Sequence, residues 1–191
     1  MAGAGMYVLL EGASDIAAVR ALADDDLDGV RLVDLQGVTN VRRVLRDLRQ
    51  RDPDATVLGM CDAGEVRFVE RAVREAGRPV RDVSDLPAYG FFVCVADLED
   101  ELIRALGVDR VLLVVQQLGL AGKFATLQQQ PDWQGRPVEE QLHRFCGVAS
   151  GRKELLAREL ASALGLDDAP EPLRALLDRI RHLRKFAGHV M

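Results

Sequence analysis

The sequence predicts an α/β fold, a parallel four-stranded sheet flanked by helices and followed by a C-terminal helical extension. Three observations carry that reading. Four short apolar runs alternate with segments of helical spacing over roughly the first hundred residues, the β-α repeat that builds parallel sheets with right-handed crossovers. Three of those four runs stop abruptly at an acidic residue, as strands do when they turn into a loop at a sheet edge. Aromatic residues make up only 5% of the chain while 48% is hydrophobic, a balance that suits helices packed on a buried sheet better than a β-sandwich.

Met6 to Leu10 (MYVLL) reads as a buried strand ending in Glu11-Gly12, and Ser14 or Asp15 can cap a helix over Ile16 to Ala23. Val30 to Leu35 is the second strand, followed by Gln36-Gly37-Val38-Thr39-Asn40 and a helix at Val41 to Leu48. Thr56 to Cys61 (TVLGMC) is the third strand and runs into Asp62-Ala63-Gly64-Glu65 before a helix at Val66 to Ala76. After a polar, proline-containing link, Phe91 to Val95 is the fourth, leading into Ala96-Asp97-Leu98-Glu99-Asp100-Glu101 and a helix to about Leu106. Beyond Val108 the spacing is helical throughout: Arg110 to Gln117, Ala121 to Gln130, Val138 to Phe145, Gly151 to Leu164 and Glu171 to Phe186. Residues 1–107 are therefore taken as the sheet domain and 108–191 as the helical extension, with no internal repeat.

A chain of 191 residues can bury one sizeable core. Cys61, Cys94 and Cys146 are distant from one another and form no C-x-x-C pair, so they are expected as reduced core residues. No apolar stretch is long enough to cross a bilayer and the amino terminus lacks the order of a signal peptide, which points to a cytoplasmic protein. The net charge of -5 argues against coating nucleic acid by bulk electrostatics. It leaves room for a carboxylate site that attracts phosphate only once filled by cations. Two basic clusters, Arg42, Arg43, Arg46, Arg49 and Arg51, then Arg179, Arg181, His182, Arg184 and Lys185, read as solvated helix faces.

The informative pattern is where the acids fall. Glu11 follows the first strand, Asp62 the third and Asp97 stands next to the end of the fourth. In an open parallel sheet ligands bind beyond the carboxyl ends of the strands, so acids far apart in sequence can converge there. Asp15 lies four residues beyond Glu11 and Glu99 two beyond Asp97, at the same mouth. Any one of these acids is explained by helix-start electrostatics. Together, without His or Cys, they point to a hard ion, Mg²⁺ or Mn²⁺, and two such ions form the recurrent arrangement of phosphodiester chemistry.

Glu11-Gly12-Ala13-Ser14-Asp15 after an apolar strand, an aspartate turn after a later strand and the Asp97-Leu98-Glu99 element resemble the Toprim superfamily, and most closely the Toprim nuclease domain of the overcoming-lysogenisation-defect (OLD) endonucleases. The resemblance spans roughly the first hundred residues and implies a Toprim-like, Rossmann-like sheet in a chain that stands apart from the ATPase half of those enzymes. It implies a metal-dependent endonuclease with two Mg²⁺ or Mn²⁺ ions: Glu11 and Asp15 on one ion or activating water, Asp62 on the other, Asp97 and Glu99 completing the set. Lys153 is the best match by position for a lysine that assists at the phosphate. Nucleic acid is the implied substrate, DNA ahead of RNA, with a separately encoded ATPase as a possible partner and no membrane.

One departure stands out. The Toprim pattern after the third strand is Asp-x-Asp, whereas this chain has Asp62-Ala63-Gly64 with Glu65 next. Glu65 can supply the oxygens one residue later, the second ion can bind only with substrate, or catalysis is lost and the module only binds nucleic acid or a partner. Nucleotidyl transfer would use the same ions, but no nucleotide site is recognisable. Thr39 and Asn40 can cap a helix or meet a phosphate, and Trp133 can stack on a base or pin its proline-flanked loop. His143, His182 and His189 show no metal spacing, and no Walker-type Gly-x-x-x-x-Gly-Lys is present.

Overall fold

The computed structural model describes residues 5–148 and 150–187. Its strands are β1 (Met6–Leu10), β2 (Val30–Asp34), β3 (Thr56–Cys61) and β4 (Phe91–Val93), in one four-stranded sheet of order β2-β1-β3-β4 with every pairing parallel. The α/β class and the parallel sheet are thus as the sequence predicts. The pleat sends alternate residues of one strand to opposite layers. Val8 and Leu10 of β1 join Leu58 and Met60 of β3 in one core, while Leu9 and Cys61 enter a second.

The helices divide between those two layers. α1 (Ala13–Ala23) buries Ala18, Val19 and Leu22 in the first core. α2 (Val41–Arg51) and α3 (Val66–Glu75) bury Val41, Val69 and Val73 in the second. α4 (Leu98–Leu106) returns to the first layer and hands over at Gly107, φ 76, to α5 (Val108–Gln117) and α6 (Ala121–Gln128). α7 (Val138–Gly147), α8 (Ser150–Ser162) and α9 (Glu171–Ala187) complete that layer. α8 packs along α1, and Phe145, Leu156, Leu173 and Ile180 belong to the same cluster as Val8 and Leu10.

Among the ends that differ from the sequence expectation, two have a clear local reason. α1 begins at Ala13 rather than Ile16, because Asp15 reaches back to accept a hydrogen bond from the Gly12 N–H (3.1 Å), the return half of a capping box. β4 stops at Val93 although Val95 is apolar: after one further rung, Cys94 N–H to Cys61 O (2.9 Å), the Val95 N–H is captured by the Glu101 carboxylate (2.6 Å). The link before β4 tightens into a 3₁₀ segment, Val83–Tyr89, ending in a left-handed Gly90. A Cβ at Gly90 would lie 2.5 Å from the Leu58 side chain. Cys61, Cys94 and Cys146 are buried and unbridged, as expected.

Candidate metal centre

Order β2-β1-β3-β4 puts the reversal of winding between β1 and β3, where connections leave toward opposite faces and open a crevice. Glu11 is the first residue past β1 and Asp62 the first past β3. A 3₁₀ turn, Ala63–Glu65, held by the Glu65 N–H to Asp62 O bond (3.0 Å), swings Glu65 back toward them. Oxygens of Glu11, Asp62 and Glu65 all lie within 4.8 Å of one another. A Cβ on Gly12 or Gly64 would meet nothing within 4 Å, so the backbone on both sides of this cluster borders open space.

Asp15 and Glu99 stand behind it, 8% and 4% exposed. Lys153, from the first turn of α8, places its Nζ 3.5 Å from a Glu99 oxygen. That contact answers why α8 opens on cations against its own dipole: Lys153 turns to Glu99, and the Arg152 guanidinium lies over the Phe145 ring at 4.4 Å.

Asp97 is the N-cap of α4, accepting from the Asp100 N–H (2.9 Å). Its two oxygens also lie 2.7 and 2.9 Å from His143 Nε2, whose N–H therefore points at the carboxylate. The Ala63 N–H to Ala96 O bond (3.0 Å) ties the loop bearing Asp97 to the turn bearing Glu65.

Crowding of these acids shows in their proton affinities. Burial first, then Glu11, Asp15, Asp97 and Glu99, push Asp62 from 3.8 up to about 8. Burial, with Glu11 and Glu99, raises Asp15 to about 6. Burial and a hydrogen bond shared with Glu11 raise Glu65 to about 7. Glu99 is raised as well, chiefly by burial, with Lys153 opposing. Burial disfavours the Lys153 ammonium, yet Glu99, Asp15 and Asp62 together hold it above its ordinary range. Converging anions that must share protons are a site short of positive charge.

The donor set fits a hard divalent cation. It is all carboxylate oxygen, without His or Cys in the cluster, which matches Mg²⁺ or Mn²⁺ rather than zinc. Glu65 Oε2 and Glu99 Oε1 are buried with no hydrogen-bond partner among the described residues, a costly state that an ion would relieve. The half-buried triad Glu11, Asp62 and Glu65 could thus hold a metal.

Of the acids singled out in the sequence, Glu11 and Asp62 meet directly, and Glu65 joins them. Asp15, Asp97 and Glu99 are near enough to act on Asp62 electrostatically but lie outside that tight triad. His143, given no role from spacing, is the residue the sequence reading misses. It lies 46 positions from Asp97 on another helix, and nothing local announces the pairing. Asn40 is committed to loop closure, its amide donating to Leu35 O (3.0 Å) and Gln36 O (3.3 Å). Several arginines of α2 and α9 go to ion pairs: Arg42 with Glu75, Arg43 and Arg46 with Asp47, Arg181 with Asp26.

No family model and no curated protein matches the sequence. Solved structures do match in fold. The C-terminal region of the Xanthomonas campestris pv. campestris OLD protein superposes with a TM-score of 0.71 at 24% identity, over 97% of this chain and 96% of that one. The C-terminal region of the Burkholderia pseudomallei OLD protein gives 0.67 at 20% identity, over 95% of this chain and 98% of that one. The chain shares the α/β fold of those regions over nearly its whole length, helical part included.

Proposed function

We propose that this chain, built on the fold of the C-terminal regions of OLD proteins, is a Mg²⁺- or Mn²⁺-dependent nuclease that hydrolyses phosphodiester bonds of nucleic acid, DNA ahead of RNA. The observation that carries the reading is the convergence of Glu11, Asp62 and Glu65 oxygens within 4.8 Å at the crevice between β1 and β3. Fold alone would not carry it, since one fold hosts many chemistries.

Glu11, Asp62 and Glu65 would hold one ion, and Asp15, Asp97 and Glu99, the acids around Asp62, would complete the set for a second. Bound there, such ions supply Lewis-acid polarisation of the phosphate and a water acidic enough to attack at neutral pH. The chain's own groups then do the rest. Lys153, beside Glu99, sets an ammonium against a non-bridging phosphate oxygen. A carboxylate of the triad accepts the proton of the attacking water. The new P–O bond forms in line with the bond that breaks, and the leaving oxygen carries away the electron pair and is protonated from solvent. Residues 1–107 would thereby contribute the acids, and 108–191 the lysine.

A second reading has its own observation. Gly64 stands where a further aspartate would be expected, which reduces the oxygens available to the two ions. On that reading the chain is a catalytically weak module binding nucleic acid or a separately encoded ATPase; the solved relatives are themselves C-terminal regions of longer proteins.

Purified protein incubated with supercoiled plasmid and Mg²⁺ or Mn²⁺ separates the two. Nicking that disappears in Glu11→Ala and Asp62→Ala supports the nuclease. Nicking that persists in both variants removes it, and a parent inactive with either metal leaves the binding module.

A further inference from the structure

A cleft of about 280 Å³ opens beside Asp97 and Glu99, bounded by those two acids with Trp133, His143, Arg144 and Lys153. Its inner wall is made of groups already placed at the site. Its outer wall is of another character: an indole with guanidinium groups around it. Arg136 and Arg144 lie 5.0 and 5.9 Å from the Trp133 ring.

Three features set this wall apart from a loop merely pinned down. Trp133 is half-buried, packed on the core by one part of the ring and leaving the rest at the cleft. Its backbone is fastened by a buried polar relay, Gln128 to Gln141 (2.8 Å) and Gln141 to Trp133 O (2.8 Å), and Gln141 is only 5% exposed. Burying a side-chain amide is worthwhile only when its bonds are made, and here they fix the position of the indole. Arg144 is exposed and makes no ion pair among the described residues, whereas Arg136 is tied to Glu140 at 3.4 Å. An aromatic ring, a guanidinium with no carboxylate partner among the described residues and a lysine in one cleft match the chemistry of a nucleotide, whose base stacks and whose phosphate takes charge-assisted hydrogen bonds.

We propose that this cleft is the subsite for the nucleotide next to the bond that is cut, its base against Trp133 and its phosphate toward Arg144 and Lys153. The assignment rests on reading the acidic cluster as a site of phosphodiester chemistry. The cleft's volume is on the scale of one nucleotide.

Trp133 is the chain's one tryptophan, which makes its fluorescence a direct reporter. Adenosine 5′-monophosphate titrated into the Mg²⁺-containing protein is expected to quench the emission saturably, while inorganic phosphate alone leaves it unchanged. Arg144→Ala keeps the reporter and is expected to weaken the nucleotide roughly tenfold. Trp133→Phe, which keeps a ring on the core, is expected to raise KM for a short single-stranded oligonucleotide more than it lowers kcat. No saturable quenching, equal quenching by phosphate, or an unchanged curve in Arg144→Ala would overturn the subsite. If the protein nonetheless nicks plasmid in a Glu11- and Asp62-dependent way, only the subsite fails. If nucleotide binds but neither acid matters for cleavage, the reading of the acids fails and takes the subsite's catalytic assignment with it.

Discussion

His143 Nε2 lies 2.7 and 2.9 Å from the two oxygens of Asp97, the residue that caps α4. One imidazole N–H spanning both oxygens holds the carboxylate plane in place, and under the proposed function Asp97 is a ligand whose orienting group matters nearly as much as the ligand itself. His143→Ala is expected to lower the nicking rate at saturating Mg²⁺ roughly tenfold or more. His143→Gln, which returns an N–H donor at similar reach, is expected to recover part of the loss; identical rates in the two variants would count against orientation.

Lys153 and Glu99 form a pair in which the acid is 4% exposed. Removing the cation leaves a buried carboxylate unpaired, so Lys153→Met is expected to cost about 1–3 kcal/mol in a urea titration of metal-free protein. Adding Glu99→Gln should return most of that loss, giving a coupling well outside error in a double-mutant cycle. Both variants should be poor nucleases, which separates stability from chemistry.

The raised proton affinities set the direction of a pH effect. Asp62, Asp15 and Glu65 bind protons more tightly folded, at about 8, 6 and 7, than at their ordinary 3.8, 3.8 and 4.5. Between those limits the native state holds more protons than the unfolded one, so stability of the metal-free protein falls as pH rises from about 4 to 8. Mn²⁺ or Mg²⁺ competes with those protons. At ~100-fold excess over its dissociation constant it should raise Tm by roughly 5–10 °C at pH 8 and by little at pH 5. A metal shift independent of pH, followed by scanning calorimetry, would contradict the shared-proton picture.

Gly64 invites the opposite kind of change. A Cβ there meets nothing within 4 Å, so Gly64→Asp is sterically free and supplies the oxygens that the Asp62-Ala63-Gly64 turn lacks. Isothermal titration with Mn²⁺ is expected to show roughly tenfold tighter binding, one added ligand's worth at the scale of ~1.4 kcal/mol per decade. The added charge should also destabilise the metal-free form.

Gly90 is a control remote from the acids. Its φ of 84 and the 2.5 Å approach of a hypothetical Cβ to Leu58 make Gly90→Ala costly, by about 2 kcal/mol or more, in chemical denaturation. Metal affinity per folded molecule should be unchanged.

How much of this was readable beforehand follows from which forces are local. β3 appears at Thr56–Cys61 to the residue, because a continuous apolar run buried on both faces has one interpretation. The first turn of α1 is harder: Ala13 and Ser14 carry no apolar periodicity, and only the Asp15 to Gly12 contact reveals it. Strand order was not legible, since the neighbours of β1 are set by packing of distant helices. For the site, Glu11 and Asp62 could be named because strand ends share an edge. Glu65 was visible as a substitute oxygen donor, one residue late. The partnership of His143 with Asp97 depends on how α7 docks on α4, information that no window of residues contains.

The packing of α8 along α1 has a consequence for the protein's birth. A nascent chain emerging from the ribosome presents Glu11, Asp62 and Glu65 long before residue 153 exists, and the part of α1 that α8 covers stays bare until Ser150–Ser162 is made. Under the reading advanced above, a half-synthesised molecule carries the acids without their lysine. Cutting power is then withheld until α8 has been made and has packed along α1.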